Sequence, residues 1–524
     1  MKIERTKNAV RNIIFGIILQ IFQLLCPFII RTVMINFLGV EYLGLNSLFV
    51  SILQVLNLAE LGVGTAMVYS MYEPIAKDNQ KKICALMKLY RFYYRLIGIV
   101  VATLGLILFP FIPKLIKGNV PQDVSVYILY LLHLATTVLS YWLFSYKNCL
   151  LAAHQRVDIS SKISLIIYII QYGFQFMALC LFRNYYLFLI IALFSQVLNN
   201  IITAIIVTKM YPDYKPIGNL ESGDIKDINA KIRDLFTGKI GGVIVNSADT
   251  IVISAYLGLT ILAIYQNYFY ILTALITTFS IIFKACMAGI GNSIIIETKA
   301  KNYRDLRKFT FIVVWISGFC TCSLLCLFQP FMRIWVGKEY MFEFSAVICF
   351  CIYFFIYEIN QLFNLYKDSA GLWHEDRFRP LVTALSNLTM NLIMVQFWGI
   401  YGVLLSTVLS TLFVGMPWLL KNLFTVLFDN KQLKDYLKQL LFYIITTVLV
   451  CSLVFMICSC INFNDWLTFI FRGLICCIVS NLLLFLIYKN KWEFEESIRM
   501  VDGITKNRFL IEKKLRRFMS NNRK

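Results

Sequence analysis

Arg31 lies inside an apolar run, 12–37, that holds no other charged residue. Gln20, Gln23, Pro27 and Arg31 are spaced i, i+3, i+7 and i+11, which puts them on one face of a helix. A second stripe runs through 261–296. Gln266, Thr273, Thr277, Ser280 and Lys284 fall at i, i+7, i+11, i+14 and i+18. A guanidinium offers a bidentate fork and an ammonium offers a point charge, so Arg31 and Lys284 suit an anionic ligand. The competing readings are that Arg31 snorkels to an interface and that Lys284 pairs with a local acid. Asn46, Asn57 and Glu60 form one polar face in 43–71. Glu358 and Gln361 stand at i, i+3 in 342–366, where Tyr353 and Tyr357 offer rings that can stack on sugars. Arg91 and Arg95 read as interfacial cations.

A further set carries oxygen. It comprises Asn246 and Asp249, then Thr383, Asn387 and Asn391 at i, i+4, i+8, then Thr407. Three helices supplying carboxylate, amide and hydroxyl oxygens can hold a small hard cation. The same residues can instead hydrogen-bond helix to helix. The fifteen cysteines lie almost entirely in apolar runs. Cys320/Cys322, Cys458/Cys460 and Cys476/Cys477 match no metal-binding spacing, so they read as buried small hydrophobes. No Gly-x-x-x-x-Gly-Lys-Ser/Thr motif occurs, so the chain carries no nucleotide-driven cassette of that type.

These residues need elements to hold them, and composition says which. Of 524 residues, 59% are hydrophobic and only 15% are charged, with a mean hydropathy of +0.71. A soluble domain is about a quarter charged. The sequence therefore predicts an all-α integral membrane protein and excludes a secreted domain, a soluble enzyme and a disordered chain. Apolar runs long enough to cross a bilayer number fourteen. They are roughly 12–37, 43–71, 90–112, 123–146, 160–182, 185–208, 236–256, 261–296, 309–329, 342–366, 380–397, 400–424, 438–461 and 464–488. The first run is too long for a cleavable signal and has no small-x-small site after it.

The net charge is +21, and its distribution is topological. With the N-terminus inside, forty-two of the fifty Lys and Arg fall on the cytoplasmic side and five outside. Arg31, Lys284 and Arg472 remain within runs. By the positive-inside rule both termini are cytoplasmic, which requires an even number of spans. The segment from Lys506 interleaves eight cations with Phe509, Leu510, Leu515 and Phe518, and reads as a basic amphipathic helix on anionic inner-leaflet lipid. No nucleic-acid recognition fold accompanies it, so nucleic acid is not an expected partner.

The two halves repeat. Phe37-Leu-Gly39 parallels Tyr256-Leu-Gly258, and Glu60-Leu-Gly62-Val-Gly64 parallels Met287-Ala-Gly289-Ile-Gly291. Glu73 to Lys77 parallels Glu297 to Lys301, and Tyr146-Lys147 with His154 parallels Tyr366-Lys367 with His374. Each unit spans six helices, an even number, so the copies are parallel, related by an axis along the membrane normal. The expected organisation is an N-lobe over 1–208, a cytoplasmic linker over 209–235 and a C-lobe over 236–424. Two added helices over 425–489 and a basic tail over 490–524 complete it. A central cavity would lie between the lobes.

Twelve spans in two parallel lobes plus two more, the Phe-Leu-Gly-x-x-x-Leu-Gly turn and the Glu-Leu-Gly-x-Gly motif resemble the bacterial polysaccharide and O-antigen (Wzx-type) flippases. These belong to the multidrug/oligosaccharidyl-lipid/polysaccharide (MOP) exporter superfamily, with the lipid II flippase and the MATE exporters. The resemblance covers roughly 10 to 490, and fourteen spans favour the oligosaccharide-lipid branch. It implies a non-enzymatic transporter of the bacterial plasma membrane. That transporter would turn an undecaprenyl-diphosphate-linked oligosaccharide outward by alternating access, with a polysaccharide polymerase as a further partner. Arg31 and Lys284 would meet the diphosphate, with Gln20, Gln23, Asn57, Glu60, Gln266, Thr277, Glu358 and Gln361 lining the path. In the lipid II flippase a sodium site joins helices seven, eleven and twelve. Asp249, Asn387, Asn391 and Thr407 fit that pattern, except that Asn391 stands where the relative has a carboxylate. No cofactor is implied beyond a coupling Na+ or H+, the latter carried by Asp249, Glu60 or Glu358. Two other functions fit the class: a MATE-like multidrug exporter and a membrane polymerase or acyltransferase of the same pathway. A polymerase would carry a large external loop, and the external connections here are short.

Overall fold

The computed structural model describes residues 5–118, 120–461 and 463–504, and all regular structure among them is helical. A chain in hydrocarbon must pair every backbone N–H and C=O internally, and a helix does so within one segment. In order, the helices are α1 (Arg5–Phe37), α2 (Val40–Leu56), α3 (Val63–Ala76), α4 (Gln80–Leu108), α5 (Val126–Trp142), α6 (Asn148–Ala153) and α7 (Val157–Met177). Then come α8 (Tyr185–Met210), α9 (Ser222–Leu257), α10 (Leu259–Ile296), α11 (Lys299–Trp335), α12 (Phe344–Ser369), α13 (Trp373–Asp376) and α14 (Arg379–Trp398). The last are α15 (Ile400–Ser410), α16 (Met416–Val426), α17 (Asn430–Ser459), α18 (Asp465–Ile475), α19 (Asn481–Tyr488) and α20 (Trp492–Ile504).

Among the described residues thirteen helical stretches are long and apolar enough to cross a membrane, and α5 with the bent segment Ser145–Ala153 makes a fourteenth. They match the fourteen expected runs one for one. The expected basic helix after 506 lies outside the described residues. Large apolar side chains remain exposed along whole faces, for instance Ile13, Ile17 and Ile21 of α1 and Leu441, Ile445 and Leu449 of α17. Such faces suit lipid rather than water. The protein is a multi-pass membrane protein.

Where the chain breaks, the residues explain it. Gly39, between α1 and α2, has φ +119, and Gly258, between α9 and α10, has φ +95. A side chain is disfavoured at such angles, so both copies of the Leu-Gly turn use glycine for the same reason. α17 opens with a capping box between Asp429 and Gln432. The fourth span bends by 46° after Trp142. Phe144 there is left-handed, at φ 56, which is rare for a bulky residue. Among the described residues three spans contain a π-helical turn, at Ala178–Phe182, Thr411–Gly415 and Cys476–Ser480.

The chain forms two compact units, Met1–Asn267 with Leu388–Val403, and Tyr268–Asn387 with Leu404–Lys524. In the first, α1 packs on α7, α7 on α8, α4 on α5 and α2 on α9. α2 also meets the start of α10 so closely that a Cβ on Gly44 would lie 2.4 Å from the Leu259 carbonyl oxygen. In the second, α11 is central and packs on α12, α17 and α18. Its core joins Leu306, Leu362, Phe363, Phe424, Tyr436 and Val454. α20 is tied to α11 by Arg307–Glu493 at 2.7 Å and Arg304–Glu496 at 2.8 Å, with both guanidinium groups over the Trp492 ring.

Candidate functional site

In the first unit, α1 is a helix with no other charge in its apolar stretch, and it carries Arg31 to the start of α10. Arg31 Nη1 donates to the Gln266 carbonyl at 3.4 Å and to Asn267 Oδ1 at 3.5 Å. The Gln266 side chain donates on to Thr250 Oγ1 of α9 at 3.0 Å. Beside Thr250 on the same helix, Asp249 accepts from Asn391 Nδ2 of α14 at 2.5 Å. Asn267, Thr250, Asp249 and Asn391 are all buried. These bonds make a polar network of four helices, α1, α10, α9 and α14, with a cation at one side and a carboxylate at the other. Buried groups of this kind are costly unless bonded, and each intramembrane charge is a functional candidate.

A second polar chain in this unit runs through Glu60, in the turn Asn57–Glu60 between α2 and α3. Tyr94 of α4 donates to Glu60 Oε1 at 3.2 Å, and Tyr90 donates to the Tyr94 hydroxyl at 2.6 Å. Asn57 is half-buried, and its Oδ1 accepts no hydrogen bond from the described residues. Gln20 and Gln23 are exposed on α1.

The second unit holds the remaining predicted residues. Asn387 of α14 is fully buried and donates to Thr407 Oγ1 of α15 at 2.9 Å. Asn387 Oδ1 and Thr383 Oγ1, one helical turn apart, are both buried and unmatched among the described residues. Glu358 of α12 is fully buried, and neither carboxylate oxygen has a hydrogen bond among the described residues. Gln361 Nε2 donates to the Tyr357 hydroxyl at 2.9 Å, and the Tyr353 and Tyr357 rings lie 5.7 Å apart. On α10, Thr277 is half-buried. Lys284 is exposed and pairs with no acid among the described residues. Within the oxygen set, Asn391 bonds Asp249 in the first unit and Asn387 bonds Thr407 in the second.

Each unit also has a buried aspartate clamped at a corner, and sequence reasoning passed over both. Asp158 is fully buried and is met by Arg156 at 3.0 Å and Lys162 at 3.5 Å. Asp376 is 2% exposed. Arg379 donates to both of its oxygens, at 2.6 and 2.7 Å, and Lys367 lies 3.5 Å away. Arg379 also donates to Asn364 at 2.8 Å. The cations around both aspartates are among the forty-two Lys and Arg placed on the cytoplasmic side. The signal was present in the Asp-x-x-Arg spacing of 376 and 379, which places acid and base on adjacent turns. His154, by contrast, sits in a packed corner between α6 and α7. It is buried against Tyr211, with Nδ1 bonded to the Leu150 carbonyl at 2.9 Å, and burial holds its imidazole below the usual histidine range.

The family model for polysaccharide biosynthesis proteins matches residues 9–287. No curated protein matches the sequence significantly. Among solved structures, the lipid II flippase MurJ in an inward closed conformation is 15% identical, with a TM-score of 0.63 over 91% of this chain and 99% of that one. A multidrug resistance MATE family transporter of the MOP superfamily, inward-facing, is 14% identical, with a TM-score of 0.61 over 82% and 99%. A MOP superfamily transporter from Pyrococcus furiosus is 15% identical, with a TM-score of 0.51 over 82% and 96%. At these identities the likeness is one of fold. The family match covers more than half of the chain and establishes that the chain belongs to the polysaccharide biosynthesis protein family.

Proposed function

We propose that this protein is a Wzx-type flippase, a secondary transporter rather than an enzyme. It moves an undecaprenyl-diphosphate-linked oligosaccharide from the cytoplasmic to the outer face of the bacterial plasma membrane by alternating access. Both termini face the cytoplasm. The observation that carries this reading is Arg31, the sole charge in its apolar stretch, which donates to the Gln266 carbonyl and to Asn267 of α10 and offers a two-pronged donor suited to a diphosphate. Lys284, exposed and without an acidic partner among the described residues, supports an anionic cargo too. Gln20, Gln23, Asn57, Glu60, Gln266, Thr277, Glu358 and Gln361 are the proposed lining. Asp249, Asn387, Asn391 and Thr407 are the proposed ion-coupling residues for Na+ or H+. The tail from 490 binds anionic lipid, and a polymerase receives the product.

The test is to replace Arg31 and Lys284 by Ala, separately. Surface polysaccharide and the lipid-linked unit on the cytoplasmic face are then measured at matched protein levels. The expected result is lost export with accumulation inside. Wild-type export from both variants overturns the cationic reading. The likeness to a MATE transporter favours a second reading, cation-coupled drug export. Under it, both variants keep polysaccharide export and change drug tolerance instead.

A further inference from the structure

α11 carries Cys322 and Cys326 one turn apart, so both project from one face. They are 0% and 1% exposed. The π-helical turn between α18 and α19 brings Cys476, also 0% exposed, to meet them, and the three sulfur atoms all lie within 4.8 Å of one another. Cys458 of α17, and Cys451 two turns earlier, are buried in the same apolar core as these three. Five buried cysteines from three parts of the second unit therefore belong to one apolar core, with Val450, Val454 and Leu484. Cysteines placed only as small hydrophobes have no reason to converge.

The donor chemistry is all sulfur, which selects soft d10 cations over hard ones. Sulfurs in a tetrahedral set with metal–sulfur bonds of about 2.3 Å lie roughly 3.8 Å apart, so the observed spread closes on an ion with side-chain movement of about 1 Å. Several thiolates inside a membrane require compensating charge. The ion supplies most of it, and Arg472, one turn before Cys476 on α18, supplies more. π-helical turns are common at functional sites, and this one sets the direction of Cys476.

We propose that Cys322, Cys326 and Cys476, with Cys458 as the fourth donor, form a thiolate site for a soft d10 cation, Cu(I) or Zn(II). Each ligating thiol releases its proton to solvent, with no change of oxidation state. The bound ion clamps α11 and α17 to the α18–α19 span. None of these residues belongs to the polar sets assigned to transport, so this proposal and the flippase reading stand or fall separately.

The experiment uses the full chain, purified in detergent under reducing, anaerobic conditions. One arm titrates Cu(I) against bicinchoninate, and the other titrates Zn(II) against a chromophoric chelator. The readouts are metal per protein after gel filtration, thiolate-to-metal absorption, and the number of thiols protected from N-ethylmaleimide. The expected result is one equivalent of one of the two ions, with three or four thiols protected. Cys326→Ala and Cys476→Ala should each weaken retention by roughly tenfold or more, whereas Cys320→Ala and Cys477→Ala leave it unchanged. If a variant aggregates, the thiol protection in the wild-type chain decides, mapped cysteine by cysteine. Protection of other cysteines, retention equal in all variants, or no retention in either arm overturns the site. A disulfide within the cluster on exposure to air, without metal retention, also overturns it and assigns a redox pair instead.

Discussion

Asn391 donates its amide to Asp249 at 2.5 Å, with both side chains buried in the first unit. A buried carboxylate in a membrane span is costly as an anion, and a bound cation or a proton offsets that cost. Asp249→Ala should therefore abolish whatever dependence export has on Na+ or on pH. Asn391→Asp should strengthen a Na+ dependence, because a second carboxylate adds charge at the same spot. Export measured in Na+-free and Na+-containing medium, with pH varied in parallel, decides. An unchanged ion response in both variants removes the coupling role.

Arg31 separates substrate contact from mere placement when it is replaced by Lys rather than Ala. Lys keeps the charge but loses the two-pronged donor. Each lost hydrogen bond to a charged group is worth about 1.5–3 kcal/mol, so export should fall by about tenfold or more. If Arg31 only reaches an interface, Arg31→Lys will export like the wild type.

The clamp at Asp376 should be structural. Arg379→Ala leaves a buried carboxylate with its main partner gone, a change that costs about 3–5 kcal/mol. The thermal midpoint in detergent should drop clearly. Asp376→Leu combined with Arg379→Met should recover most of the loss. A single variant as stable as the wild type would show the pair to be dispensable.

Gly44→Ala should destabilise by about 1–3 kcal/mol, the usual range for overpacking. The intruding methyl meets the Leu259 carbonyl, which is backbone and has little room to yield. Gly173 is the control, because a Cβ there has nothing within 4 Å. Unfolding of both variants in detergent, followed by tryptophan fluorescence, checks the contrast.

His154 predicts a pH response. Burial lowers its proton affinity in the folded chain, so the unfolded chain binds the extra proton more readily. Stability should be full above the ordinary histidine value of about 6.5 and fall as pH drops below it. His154→Gln should flatten the acid side of the stability profile. The facing tyrosines, Tyr211 and Tyr214, are pushed up by burial and stay neutral across this window.

Every span was legible in the sequence because hydropathy over a bilayer's width is a strong signal. Both Leu-Gly turns were legible because glycine marks a backbone that side chains avoid. The bend after Trp142 was not, since Phe144 adopts a left-handed angle that its residue type argues against. Single site residues were legible as charges out of place, and their partners were not. Asn267 and Thr250 look like ordinary span residues until Arg31 and Gln266 reach them. Cys326 and Cys476 stand 150 positions apart, so no spacing rule joins them.

The π-helical turns have a consequence for how the chain tolerates length changes. A turn of this kind holds one residue more than an α-turn. Beyond Thr411–Gly415, Leu419, Leu420, Leu423 and Phe424 belong to the core of the second unit. Deleting one residue within the turn would restore a plain α-turn and leave those side chains on the core, whereas the same deletion in an unbroken helix would rotate every later side chain by about 100°. Each of these three spans thus holds one spare residue. A one-residue deletion inside its π-helical turn should be tolerated better than one in the middle of α17.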